Sequence, residues 1–247
     1  MTQTEPDAPV LMADCVAITR GTQRVLTSAS LRAVRGRTTA LFGRNGAGKS
    51  TLLRIAAGLL QPDGGVVRVD GEAVFRANAA ALARRGVLFL PDRDLLSTRS
   101  SVRAQLGMFR AQFGNGDVLA AATRVGIAPL LDRNPDKLSG GERRRADVAA
   151  ILVRQPRCLL ADEPFRGLAP LDVEALGLVF RELASSGCAV VITGHEVNAI
   201  LDTVDHVTWC TAGTTYELGA PAQALQHREF AMQYAGTSGA AAVNGLR

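Results

Sequence analysis

Cysteine is scarce in this chain: four in 247 residues, none in a C-x-x-C pair. That excludes a disulfide framework and argues against a thiolate metal site. Cys15, Cys158, Cys188 and Cys210 fall mostly in apolar runs and read as small hydrophobes in a reducing compartment. No stretch approaches 18 uninterrupted apolar residues, so no membrane-spanning helix is expected. Met1–Asp7 lacks a basic segment followed by an apolar core, so no signal peptide is expected. Dense basic runs are missing too. The arginines are spread along the chain and the net charge is +5, so no nucleic-acid surface is expected; weak attraction to an anionic membrane face or an acidic partner stays open. Aromatics make up only 4%. Neither an internal repeat nor a coiled-coil pattern is present. What remains is a chain with 47% hydrophobic and 21% charged residues, long enough to bury a core without staples.

The stretch that organises the rest is Gly43-Arg44-Asn45-Gly46-Ala47-Gly48-Lys49-Ser50-Thr51. It fits G-x-x-x-x-G-K-[ST], the phosphate-binding P-loop. The apolar run Thr38–Phe42 before it reads as a buried strand, and Ser50–Ala57 after it reads as a helix. The glycines let backbone N–H groups approach phosphate oxygens, and the helix N-terminus adds partial positive charge. Lys49 is placed to reach the β- and γ-phosphates, and the Ser50 hydroxyl to ligate Mg²⁺.

Around this unit the pattern is α/β. Val10–Thr19 and Val25–Val34 alternate like a strand pair, and Val66–Gly71 reads as a further strand. Gly86–Leu90, Cys158–Asp162 and Ala189–Thr193 read as buried strands. Each follows a helical segment, as parallel βαβ units require. Residues 77–85 read as a helix. From about 93 to 150 apolar positions recur at helical spacing, as in Val102, Leu106, Phe109 and Phe113. Val207–Thr211 and Thr214–Leu218 read as a last strand pair, and 221–235 as a helix. The expected fold is a P-loop NTPase core with a flanking antiparallel β-subdomain and an inserted α-helical subdomain. It forms one unit over residues 10–235 with flexible ends at 1–9 and 236–247.

Two more constellations carry chemistry. Leu160-Ala161-Asp162-Glu163-Pro164 is an apolar strand ending in two acids. Asp162 suits Mg²⁺, and Glu163 suits a general base that polarises the attacking water. Leu138-Ser139-Gly140-Gly141-Glu142 opens a helix with small residues, which fits either an anion site or an ordinary N-cap.

Together, the P-loop, Leu-Ser-Gly-Gly-Glu and Asp-Glu-Pro about 20 residues later resemble the three diagnostic segments of the ATP-binding-cassette (ABC) family. The resemblance covers roughly residues 10–235. It implies an ATPase that works as a head-to-tail pair. ATP and Mg²⁺ would lie between the P-loop of one cassette and Ser139, Gly140 and Gly141 of a second copy or a sister subunit. His195 falls at the family's switch histidine, which contacts the γ-phosphate. A separate transmembrane subunit would carry the cargo, with the cassette at the inner face of the cell membrane. The helical subdomain and the Asp92 loop would form the docking surface, with Leu106, Phe109 and Phe113 read as that subdomain's core before a groove. His206 and His227 read as surface or packing residues.

Three positions depart from the family pattern. Arg20 stands where an adenine-stacking aromatic is usual, and a guanidinium plane can also stack on a base. Asp92 stands where a glutamine is usual and offers an oxygen toward Mg²⁺ or water. Ala169 replaces an aspartate in Gly167-Leu168-Ala169-Pro170. These features, with the ending Arg228–Gly236, resemble the branched-chain amino-acid importer ATPases and the lipopolysaccharide-export ATPase. A non-transport cassette and a small-molecule kinase are the alternatives. The first would bring a second cassette or a long coiled coil, the second a lid and an acceptor pocket.

Overall fold

The computed structural model describes residues 8–76, 78–113 and 116–234. Strands β1 (Pro9–Arg20) and β2 (Gln23–Val34) form an antiparallel hairpin around Gly21 and Thr22. The other strands are β3 (Thr38–Phe42), β4 (Gly64–Val69), β5 (Glu72–Ala73), β6 (Val87–Leu90), β7 (Cys158–Ala161), β8 (Ala189–Thr193), β9 (His206–Thr211) and β10 (Thr214–Gly219). They join in one ten-stranded sheet of order β5-β4-β1-β2-β10-β9-β3-β8-β7-β6. The half from β9 through β3, β8 and β7 to β6 is parallel, and β5-β4-β1-β2 is antiparallel.

The parallel strands explain their own sequences. Every residue of β3, β7 and β8 is buried, because helices cover both faces of that half. Successive side chains alternate between two cores. Ala40 and Phe42, Leu159 and Ala161, and Val190 and Ile192 point to one. Leu41, Cys158, Leu160, Ala189 and Val191 point to the other, which also holds Leu52, Leu53 and Ile55 of helix α1 (Lys49–Ala56).

The first core receives the inserted segment. Helix α2 (Ala79–Arg84) precedes β6 and sends Leu82 to the second core; the inserted helices α3 (Val102–Phe113), α4 (Val118–Arg124) and α5 (Gly140–Arg154) follow β6, with two 3₁₀ turns between α4 and α5. Leu106, Ala122, Val125 and Ile127 join Phe42, Leu88, Phe165 and Phe180 in one cluster. Leu106 is fully buried and Phe109 packs against the same cluster, so both belong to the core rather than to a groove. Helix α6 (Pro170–Ser185) covers the same face, and α7 (Val197–Leu201) adds Ile200 to it.

The segment expected as one helix over 221–235 divides into α8 (Pro221–Ala224) and α9 (Arg228–Tyr234). The cause is His227, whose Nδ1 accepts the Phe230 N–H at 3.4 Å and so starts a new helix. Phe230 and Tyr234 of α9 then stack on Phe42 at 5.5 and 5.2 Å, fixing the strand that leads into the P-loop. At the other end Pro9, expected in a frayed terminus, is already the first residue of β1. Ala77, Gly114, Asn115, Ala235, residues 1–7 of the expected tail 1–9 and the whole expected tail 236–247 lie outside the described residues. Three cysteines are buried as expected, whereas Cys15 is exposed.

Candidate functional site

The P-loop leaves β3 at Gly43 and enters α1 at Lys49. Gly48 has φ 102°, and a Cβ there would lie 2.5 Å from Leu26 Cδ2. Only glycine satisfies both the backbone angle and the approach of β2. Helix α1 has no side-chain cap and no acidic residue in its first turn. Its leading N–H groups and the partial positive charge of the helix end are therefore left to an anion. Lys49 is 6% exposed, and its Nζ donates to the carbonyls of Gly43 at 2.7 Å and Arg44 at 3.3 Å. Burial lowers its pKa, against the raising influence of Glu163, Cys210 and Asp162. Ala47 is held from below, its carbonyl accepting the Cys210 thiol at 3.1 Å. Arg44, Asn45 and Gly46 are exposed on the outer curve of the loop, and Thr51 is half-buried on α1.

Parallel pairing brings the ends of β7 and β8 beside β3, so the acids after β7 face the start of α1. Ser50 Oγ donates to Asp162 Oδ1 at 3.0 Å, and Thr193 Oγ1, at the end of β8, donates to the same oxygen at 2.7 Å. Asp162 is fully buried, and its Oδ2 has no hydrogen-bond partner. An orphaned carboxylate oxygen in the interior is costly unless a cation or a donor meets it. With the Ser50 hydroxyl alongside, this donor set fits a hard divalent cation such as Mg²⁺.

Glu163 follows with φ 46°, a left-handed conformation that costs a non-glycine residue about 1–3 kcal/mol. Its N–H donates to Thr193 Oγ1 at 2.9 Å. Its side chain is mostly buried, and Oε1 lies 3.1 Å from His195 Nε2. A continuous path thus runs from Ser50 through Asp162, Thr193 and Glu163 to His195. The sequence named four of these five residues. Thr193 was not among them; its one signal is a hydroxyl at the end of an otherwise apolar strand.

The other expected site residues lie apart from that path. Asp92 faces Arg54 and Arg166, each at 3.9 Å, and Arg166 stands 3.9 Å from Glu163 Oε2. Arg20 is exposed at the end of β1, where it pairs with Gln23. Ser139 caps α5 and is exposed with Gly140. Ser139 Oγ and N both lie 2.8 Å from Glu142 Oε2, completing a capping box. Arg145 ties α5 to Asp172 of α6. Two residues of the second turn of α5 escaped the sequence reading. Asp147 Oδ1 accepts the N–H groups of Leu95 and Leu96 at 3.2 Å each. Arg144 donates to carbonyls at the ends of β6 and β7.

Residues 26–166, from β2 through the P-loop to just past the acids, match the family model described as ABC transporter. The chain belongs to the ABC transporter family. It is one of that family's ATP-binding cassettes, which are ATPases. This cassette is 35% identical to the zinc import ATP-binding protein ZnuC of Halorhodospira halophila over 91% of its own length and 82% of that protein. It is 32% identical to the lipopolysaccharide export system ATP-binding protein LptB of Escherichia coli K12, covering 87% and 92% of the two chains. To the molybdenum import ATP-binding protein ModC of Mycobacterium tuberculosis H37Rv it is 37% identical over 77% of its length, and there the match spans only 55% of the relative. Among solved structures, the ADP conformation of MJ1267, an ATP-binding cassette of an ABC transporter, superposes with a TM-score of 0.79 at 21% identity, covering 92% and 99% of the two chains. That likeness shows the fold.

Proposed function

We propose that this cassette hydrolyses ATP to drive a separate membrane subunit, and that each of its sites is completed by a second cassette. The observation that carries the reading is the path from Ser50 to His195 with the orphaned Asp162 oxygen at its centre. The catalytic unit is taken as residues 10–235, with the segment of about 93–150 turned toward the membrane subunit.

ATP binds with its phosphates over the uncapped start of α1. Lys49 gives up the Gly43 and Arg44 carbonyls for β- and γ-phosphate oxygens. Ser50 and the orphaned Asp162 oxygen would hold Mg²⁺, which would supply charge neutralisation at the phosphates. Asp92, which faces Arg54 and Arg166, would offer a further oxygen toward the metal or its water. Glu163 takes a proton from the attacking water, and His195, whose Nε2 stands 3.1 Å from Oε1, keeps the Glu163 carboxylate turned to that task. Arg20 lays its guanidinium plane on the base. Ser139 and Gly140 are exposed and Gly141 half-buried at the start of α5, and the three close over the nucleotide of a second copy or a sister subunit. Among the described residues no helix is long and apolar enough to cross a membrane. The relatives' names place such cassettes in import and export systems, which supports a membrane partner and a position at the cytoplasmic face.

The test is Glu163→Gln. We expect turnover to fall by at least about 100-fold with ATP binding retained, and an ATP-bound dimer to accumulate in gel filtration. Turnover at the wild-type rate would refute the assignment of the base.

A further inference from the structure

Arg144 is 8% exposed and sits on the second turn of α5. A guanidinium this deep is usually met by a carboxylate. Here the nearest one, Asp147, is 3.8 Å away, and all three nitrogens donate to main-chain carbonyls instead. Nε meets Pro164 O at 3.0 Å, Nη1 meets Pro91 O at 2.7 Å, and Nη2 meets both Asp162 O and Glu163 O at 3.2 Å. Burial lowers its pKa, and the surrounding aspartates oppose that shift. The four carbonyls belong to two separate loops, one after β6 and one after β7. A rigid fork of donors spans them; an ammonium on a flexible stem does not.

The Glu163 carbonyl matters most. This residue holds a left-handed backbone at φ 46°. Its N–H is pinned by Thr193 Oγ1, and its C=O is pinned by Arg144 Nη2. A strained conformation persists only where its surroundings over-determine it. The side chain leaving that Cα is the one that meets His195. We propose that Arg144 is a positioning residue for hydrolysis: it fixes the Glu163 backbone, aims that carboxylate, and ties it to the helix that begins at Ser139. The proposal rests on the reading of Glu163 as the general base.

A residue that merely braces α5 against the sheet would, when replaced, lower stability and ATP affinity together with the rate. A residue that aims the base lowers kcat alone. The experiment uses the full chain and four forms beside wild type: Arg144→Gln, Arg144→Lys, Glu163→Gln and the double substitution of Arg144→Gln with Glu163→Gln. Mg-ATP binding is measured by calorimetry, and kcat and KM by phosphate release. For Arg144→Gln we expect kcat to fall about 10- to 100-fold, the scale of a base displaced by a fraction of an ångström to one ångström. KM and ATP affinity should stay within about twofold. Arg144→Lys should recover part of the rate, since it keeps the charge and one or two carbonyl contacts. In the Glu163→Gln background, adding Arg144→Gln should change the residual rate less than about twofold, because the group being aimed is gone. An equal fold-loss in both backgrounds would overturn the proposal. So would a parallel loss of affinity, or an unchanged kcat in folded Arg144→Gln. If Arg144→Gln does not fold, Arg144→Lys is compared in the wild-type and Glu163→Gln backgrounds in the same way, and an equal fold-loss in both overturns the proposal as well. Full activity of Glu163→Gln would instead sink the reading of the base, a result distinguishable from all of these.

Discussion

Two helices of this cassette begin with small residues and glycines, and their first turns are built in opposite ways. Helix α1 starts at Lys49 with no side-chain cap and no acid in its first turn. Helix α5 starts after Ser139 with a full capping box and Glu142 beside it. The first leaves its N–H groups for a phosphate. The second satisfies its own donors and is stable while exposed. The contrast suits the proposed site in two halves, in which the α1 half would hold nucleotide and the α5 half would stand in water until a second cassette met it.

The sharpest way to break the contrast is at α1. Lys49→Ala removes the ammonium and leaves the buried carbonyl of Gly43 and the part-buried one of Arg44 without this donor. Charge-assisted bonds of this kind contribute about 1.5–3 kcal/mol each, so ATP affinity should fall on the order of 100-fold or more. Titration with ATP and Mg²⁺ reads this directly, and unchanged affinity would remove Lys49 from the site. Composition adds a reason to expect a large effect. Of the 28 basic residues only Lys49 and Lys137 are lysine. Arginine serves almost everywhere else, so a compact point charge is kept where a phosphate needs one.

The second comparison lies within α5, between its exposed first turn and its buried second turn. Asp147 is 1% exposed, and burial pushes its carboxyl up from 3.8 to about 6, against the lowering influence of Arg144 and of the Leu95 and Leu96 N–H groups. A carboxyl raised on folding adds stability that is fully present below its unfolded pKa. That stability is lost as pH rises through the folded value. Between pH 4 and 8 wild type should therefore lose up to about 3 kcal/mol that Asp147→Asn, with no proton to release, retains. Asn keeps an acceptor for the two N–H groups. Denaturant unfolding of both proteins across that range tests this: the stability of the variant relative to wild type should climb as pH rises from 3.8 to about 6 and level off above it. Parallel curves would show that Asp147 is not held in this way.

The same contrast explains what could be read in advance. The runs Thr38–Phe42 and Ala189–Thr193 are strands to the residue, because a strand buried on both faces needs an unbroken apolar run. The P-loop was legible because its glycines and Lys49 act locally, within one turn of chain. Ser139–Gly141 also stood out, but the sequence left anion site and N-cap open, and the structure shows the cap. Arg144, Asp147 and Thr193 stayed hidden for another reason. Their partners are mostly main-chain atoms far along the chain, as with Arg144 and the Pro91 carbonyl, and a backbone carbonyl carries no residue identity for a pattern to catch. His227 escaped likewise, since a histidine that caps α9 and stacks on Trp209 at 5.5 Å looks in sequence like any packing residue.

The smallest effect is expected where α5 meets water. Ser139→Ala removes the oxygen that accepts the Glu142 N–H at 3.3 Å and the hydroxyl that meets Glu142 Oε2. Losing such a cap costs about 1 kcal/mol of stability, visible as a lower denaturant midpoint with an unchanged slope. ATP affinity of the isolated cassette should not change, since the cap bonds run within α5 and the phosphates lie over α1. If Ser139 completes the site of a second cassette, as proposed, hydrolysis should fall further than a stability loss of that size explains. Mixing then separates the two halves of a site. Ser139→Ala combined with Lys49→Ala in one assembly places both defects at one nucleotide and leaves the other site whole when they sit on different chains. Such a mixture should turn over faster than either variant alone. No regain would mean that one whole site does not suffice for turnover, or that the α5 end completes no site in a neighbour.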